Sequence, residues 1–267
     1  MRRIAAFFAL MVILGAAAYF LSLRKGTNIT SYSHVEKKLH LAGEPSVMLQ
    51  HVLAKVVYFS PSDLVTSTEN WNWKETVLRT MGHEQAFFKS QLGMDLRYLV
   101  FDNVVAGKNT HELYDGSDTS HGNPNALVSV REEILNRVLD PSGDLYYSEF
   151  ASEGSSDYQI LVIIYEGTGA SAVTFQTRAT SGEDVLKIEK DGPPAIILSS
   201  AFLNSKFYKE FGDTTLAHEM SHTFGLSDSY DLTSGANIGG DLMGEGRRRV
   251  LDMVYLSDQN RRSLGSY

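Results

Sequence analysis

With 267 residues, 43% of them hydrophobic and 21% charged, the chain can bury one sizeable core or two small ones. Its net charge of -8 disfavours nucleic acid and anionic membrane surfaces as partners, because both require a basic face. The lack of cysteine excludes disulfides, a thiolate nucleophile and cysteine-ligated metal, so any metal must be held by histidine and carboxylate.

At the N-terminus, Met1-Arg2-Arg3 precedes an uncharged run from Ile4 to Leu23, which Arg24-Lys25 closes. About 20 such residues in a helix cover roughly 30 Å, the thickness of a bilayer's hydrocarbon core. Residues 1–25 are therefore expected to be a transmembrane anchor that contacts the membrane and holds the rest of the chain outside the cytoplasm. The alternative is a cleaved signal peptide, with Ile4 to Gly15 as its apolar region and Ala16-Ala17-Ala18 as its cleavage site, releasing a secreted protein. Tyr19-Phe20-Leu21 continues the apolar run past that site and favours the anchor. Residues 26–50, polar with scattered apolar positions, are expected to form a stalk, and residues 51–267 the folded domain.

Within that domain, Val52 to Phe59 is β-rich and ends near Pro61, which predicts a first strand. Val77, Leu78, Met81, Phe87, Phe88 and Leu92 recur at near-helical spacing and predict a helix over 75–92, with Gly93 as its stop. Leu96 to Val105 is the second strand. The stretch from Gly107 to Asn125 is expected to be a long surface loop. Its His111, Asp115, Asp118 and His121 lack metal-ligand spacing and read as solvated. Ser129 to Leu139 predicts a second helix, Tyr158 to Tyr165 a strand buried on both faces, and Ala172 to Arg178 and Ala195 to Ser199 two further strands. A helix then follows, with Asp213 or Thr214 as N-cap and Leu216, Ala217, Met220 and Phe224 facing the core. Leu256 to Leu264 predicts a last helix capped by Ser257. This order implies an α/β (α+β) fold, a mixed sheet with helices above a smaller irregular C-terminal subdomain.

The helix beginning near residue 213 carries the chemistry, in the run His218-Glu219-Met220-Ser221-His222 continued by Gly225 and Asp228. Residues four apart share a helix face, so the two imidazoles converge on one cation, and neutral imidazoles suit zinc. Glu219, one step round the helix, is poorly placed as a ligand of that pair but reaches a water at the metal as a general base. Gly225 stands where the helix must stop in a left-handed conformation. The reversal brings Asp228 to the metal as third protein ligand and leaves a fourth position for water, the pattern of a catalytic rather than a structural zinc site.

The string HEMSHTFGLSD, followed by Asp241-Leu242-Met243-Gly244, resembles the metzincin metallopeptidases, with their long zinc motif and later methionine turn. Aspartate in place of the third histidine resembles the snapalysin-like and immune-inhibitor-A-like branches. The resemblance spans roughly residues 213 to 246. It implies zinc on His218, His222 and Asp228, Glu219 as catalytic base and Met243 as the floor of the site. Where several metzincin groups place a tyrosine two residues after the methionine, this chain has Glu245, so Tyr230 is the candidate donor to the transition state. The family also implies an edge strand that pairs with an extended peptide substrate, for which Ala172 to Arg178 is the candidate.

The function so implied is zinc-dependent hydrolysis of peptide bonds in a protein or peptide substrate. A membrane-tethered, non-catalytic zinc-binding module acting as a scaffold is the alternative, and retention of Glu219 argues against it. Other assignments use Glu245 as a thermolysin-like third ligand, or Asp231 or Asp241 in place of Asp228. Asp228, Asp231 and Asp241 among glycine and serine also form a candidate calcium loop, although turn chemistry accounts for them equally. Nothing in the chain specifies an oligomeric state.

Overall fold

The computed structural model describes residues 38–65, 71–115, 127–151, 157–167, 172–176, 185–187, 192–229 and 239–266. The expected anchor and the first part of the expected stalk lie outside them. Among the described residues, no helix is long and apolar enough to cross a membrane.

The first half comprises β1 (His40–Leu41), β2 (Glu44–Met48), β3 (His51–Ser60), α1 (Trp73–Leu92), β4 (Asp95–Ala106), α2 (His111–Asp115), α3 (Val128–Leu139) and α4 (Ser148–Ala151). The second half comprises β5 (Tyr158–Tyr165), β6 (Ala172–Gln176), β7 (Val185–Lys187), β8 (Ala195–Ser199), α5 (Ala201–Asn204), α6 (Gly212–Thr223) and α7 (Asp258–Ser263).

Six strands form one mixed sheet in the order β4-β3-β5-β8-β6-β7. Apart from Lys55 of β3, the middles of the central strands are apolar on both sides. In β3, Val52, Ala54, Val56 and Tyr58 join one core, while Leu53, Val57 and Phe59 join the other. In β5, Ile160, Val162 and Ile164 alternate in the same way with Leu161, Ile163 and Tyr165. Such strands must be covered twice, because each fully buried aliphatic side chain contributes roughly 1.5–3 kcal/mol. Val77, Met81 and Phe88 of α1 and Leu216, Ala217 and Met220 of α6 cover the first face. Val130, Ile134 and Val138 of α3, with Phe150 of α4, cover the second.

Three expectations change in the folded chain. The stalk boundary at residue 50 is too late, since Leu39 and Leu49 are buried and β1 and β2 form an antiparallel hairpin against the first face. The His40 N–H donates to the Leu264 carbonyl at 3.1 Å, and the Ala42 N–H to the Phe224 carbonyl at 3.0 Å. Strands this short carry no readable alternation. The C-terminal part is not a separate subdomain, because Leu242, Met243, Leu251, Val254, Leu256 and Leu264 share the first-face core. Finally, β6 is not the sheet edge along its whole length. It pairs antiparallel with β8 on one side and parallel with β7 over Thr174 to Gln176 on the other. Residues 177 and 178 of that expected strand lie outside the described residues.

The stretch after Gly107 is partly ordered into α2. Tyr114 is fully buried there, edge-on to Phe59 with ring centroids 5.2 Å apart, and donates to Glu133 at 2.7 Å. His111 pairs with Asp63, whereas Asp118 and His121 lie outside the described residues.

Candidate metal centre

The start of α6 differs from its expected form. Neither Asp213 nor Thr214 is its N-cap, a position held by Phe211 with no side-chain cap. Asp213 instead accepts from Thr80 at 2.6 Å and pairs with His83 at 2.6 Å, tying α6 to α1. The Thr214 hydroxyl donates to the Arg249 carbonyl at 2.6 Å. Tertiary partners have taken both side chains.

The end of the helix is built as its sequence implies. Gly225 has φ +84°, a conformation that costs other residues about 1–2 kcal/mol. A Cβ there would also sit 2.9 Å from the Ala42 carbonyl oxygen of the β1–β2 hairpin. The Leu226 N–H donates to the Ser221 carbonyl at 3.2 Å and the Gly225 N–H to the His222 carbonyl at 2.9 Å. This pair of bonds is a Schellman closure, and it reverses the chain. Leu226, buried directly after it, offers its carbonyl to His222 Nδ1 at 2.9 Å. The same bend carries Asp228 back over the two histidines.

Three ligand atoms converge there. His218 Nε2 and His222 Nε2 are 3.2 Å apart, and Asp228 Oδ1 lies 3.2 Å from the first and 3.5 Å from the second. Both imidazoles are buried, with ring centroids 4.7 Å apart at 83°. Their tautomers follow from their other nitrogens. His218 Nδ1 bonds the Leu242 carbonyl at 3.0 Å and His222 Nδ1 the Leu226 carbonyl. A carbonyl only accepts, so each Nδ1 carries the hydrogen and each neutral ring turns an Nε2 lone pair toward Asp228. Converging acceptors require a cation among them, either a metal ion or a proton on one imidazole. Zinc bonds of about 2.0–2.1 Å in a tetrahedron separate ligand atoms by about 3.3–3.4 Å, so the observed spacing fits that ion. Among the described residues, no other cluster of histidine and carboxylate has this form.

The electrostatics agree. Burial, then the charge on His218, pushes the His222 pKa down to about 4, so this ring is neutral and ligand-ready at neutral pH. Burial opposes charge on His218 too, but the Asp228 carboxylate and then Glu219 outweigh it and raise its pKa. Without a metal, His218 is thus the ring that takes a proton.

Glu219 is buried beside this group. Thr174 on β6 donates to Glu219 Oε2 at 2.5 Å, and its hydroxyl lies 3.0 Å from the Glu219 carbonyl oxygen. Met243 is fully buried, and its carbonyl accepts from the Ser229 N–H at 2.7 Å, one residue past Asp228. The Leu242-Met243 turn therefore holds one histidine and the third-ligand loop through main-chain atoms.

Asp241, a candidate ligand by sequence, is not brought to the histidines. Its fully buried carboxylate accepts from Ser257 N at 3.0 Å, Ser229 Oγ at 3.0 Å and Asn260 Nδ2 at 3.2 Å. It joins the third-ligand loop to α7, whose N-cap is Ser257 as expected. Glu245 starts a short 3-10 helix and does not join the group either. Tyr230 and Asp231 lie outside the described residues. Sequence reasoning missed Thr174, the hub role of Asp241 and the two carbonyls behind the histidines. The one available signal was Thr174 itself, a hydroxyl between the apolar Val173 and Phe175 of a strand.

A scan of the sequence against protein-family models finds no match, and neither does a search of curated proteins. Among solved structures, the chain is similar to archaemetzincin from Methanopyrus kandleri at 14% identity and TM-score 0.40, covering 80% of this chain and 94% of that one. Metalloproteinase-II from Bacteroides fragilis aligns at 13% identity and TM-score 0.42, over 81% of this chain and 54% of that one. A zinc-dependent peptidase from Methanocorpusculum labreanum aligns at 13% identity and TM-score 0.37, over 78% of this chain and 99% of that one.

Proposed function

We propose that this protein is a zinc-dependent endopeptidase. One observation carries the reading: His218, His222 and Asp228 converge at tetrahedral spacing, with the Glu219 carboxylate buried beside them. Two imidazoles and one carboxylate hold zinc and leave a coordination position for water or substrate. Bound there, zinc supplies Lewis acidity that polarises a carbonyl and makes a water acidic near neutral pH.

The chain's own residues do the rest. Glu219 takes a proton from the attacking water as it adds to the scissile carbonyl, then delivers that proton to the departing amine. The Leu242 and Leu226 carbonyls hold the two rings in the tautomer that ligates. Tyr230 is our candidate donor to the oxyanion. The uncharged run from Ile4 to Leu23 supports an anchored enzyme with its domain outside the cytoplasm.

The test is metal analysis of the full-length protein beside cleavage of an unfolded protein substrate, with and without a chelator. We expect about one zinc per chain and cleavage that the chelator abolishes. Glu219→Ala should retain zinc and lose activity by about 10²–10⁴-fold, the usual worth of a general base. Undiminished cleavage by that variant refutes the mechanism, and a zinc-loaded parent that cleaves nothing favours the scaffold alternative.

A further inference from the structure

We infer that Thr174 is a positioning residue for the general base, locking the Glu219 carboxylate from the neighbouring strand; this role rests on the endopeptidase reading above. Strand geometry puts it there. In β6, Val173 and Phe175 point into the second-face core, so alternation turns Thr174 toward α6. Its register partner in β8 is Ile196, and no part of the residue is exposed. A hydroxyl buried this way requires an acceptor, and Glu219 supplies two.

The geometry selects between those acceptors. A hydroxyl has one hydrogen, and the Oε2 contact at 2.5 Å is much shorter than the carbonyl contact at 3.0 Å. The hydrogen therefore lies on the carboxylate. Glutamate has three rotatable side-chain bonds, and a base that must lift a proton from one defined water cannot sample them freely. The bond to Oε2 anchors one carboxylate oxygen, while the approach to the main-chain oxygen keeps the hydroxyl against the helix. The arrangement serves both halves of the reaction. Oε2 still accepts from Thr174 after the base is protonated, so the side chain keeps its place until the proton is delivered. Sheet and helix, which also meet where the Tyr158 hydroxyl donates to the Thr223 carbonyl, thereby gain a polar joint at the reacting group.

The experiment compares Thr174→Val, which keeps shape and removes the hydroxyl, with Thr174→Ser, which keeps the hydroxyl. Zinc content, kcat and KM are measured on the full-length protein, and crystal structures of the zinc-free parent and Val variant are determined. The expected result is a fall in kcat on the order of tenfold to hundredfold in the Val variant, at unchanged zinc content and KM. Thr174→Ser should recover kcat to within a few-fold. In the crystals, the Glu219 carboxylate should lie on Thr174 in the parent and be displaced in the variant. An unchanged kcat in the Val variant, or no recovery in the Ser variant, overturns the role. So does a parent crystal structure with Glu219 turned away from Thr174, an outcome that stands even when the Val variant fails to fold. A parent that holds zinc yet cleaves nothing is a different failure: it sinks the endopeptidase reading and takes this role with it.

Discussion

Asp228, three residues past Gly225, and Asp241, which opens the Asp241-Leu242-Met243-Gly244 turn, both stand near glycine and serine, yet their carboxylates meet opposite surroundings. Asp228 Oδ1 faces two imidazole nitrogens whose rings spend their Nδ1 hydrogens elsewhere. Asp241 faces hydrogen-bond donors: a backbone N–H, a side-chain amide and a hydroxyl. A carboxylate satisfied by donors has little left for a metal, while one set among acceptors requires a cation. Glu84 on α1 is a third case. It is fully buried with no hydrogen-bond partner at either oxygen, so burial, then the charge of Asp213, pushes its pKa well above the ordinary value. The three carboxyl groups thus meet three surroundings: imidazole nitrogens, hydrogen-bond donors and, for Glu84, burial without a hydrogen-bond partner.

The largest effect should come from Asp228, the proposed ligand. Asp228→Ala is expected to weaken zinc binding by on the order of a thousandfold, since even the outer hydrogen-bond partners of metal ligands are worth 10–100-fold. Competition with a chromogenic chelator measures it. Asp241→Ala should instead retain zinc and lose about 3 kcal/mol of stability, because Ser257 N–H and the Asn260 amide lose a charged acceptor. Denaturant titration of the zinc-loaded protein measures that loss, and zinc release matching that of Asp228→Ala would erase the contrast.

Gly225→Ala tests how the bend delivers Asp228. Its left-handed φ and the close Ala42 carbonyl predict a loss of about 1–2 kcal/mol, with a parallel fall in zinc affinity. Normal zinc affinity in a destabilised variant would show that the loop holds Asp228 without the helix closure.

Glu84→Gln should give the smallest effect, and one that depends on pH. The folded pKa of Glu84 is raised, so from about its ordinary value of 4.5 upward the folded chain holds a proton that the unfolded chain releases. Stability from this group therefore falls as pH rises. The melting temperature of Glu84→Gln relative to the parent should climb by a few degrees as pH rises from about 5. A flat difference would mean that the carboxyl finds a partner in solution.

Much of this molecule was legible before folding was considered. The buried strands and α1 were marked by apolar runs and by helical spacing, and both periods are local properties of the chain. The histidine pair, Glu219 and the bend at Gly225 were legible for the same reason, because one helix and its closure set their geometry. What escaped notice depended on distant partners. The hairpin at 39–49 is defined by packing against Phe224 and Leu264, and β7 by pairing with β6. Asp213 looked like a cap until α1 offered Thr80 and His83.

By itself, the sequence determined that a helix would carry two imidazoles and a carboxylate on neighbouring faces and then turn back, because i,i+4 spacing and a left-handed glycine act within one turn. Only the tertiary structure decided which aspartate meets those imidazoles, which carbonyls orient them and which strand steadies Glu219. The farthest of those choices join residues 24 and 45 positions apart, where hydrogen bonds form only after the core has brought the elements together.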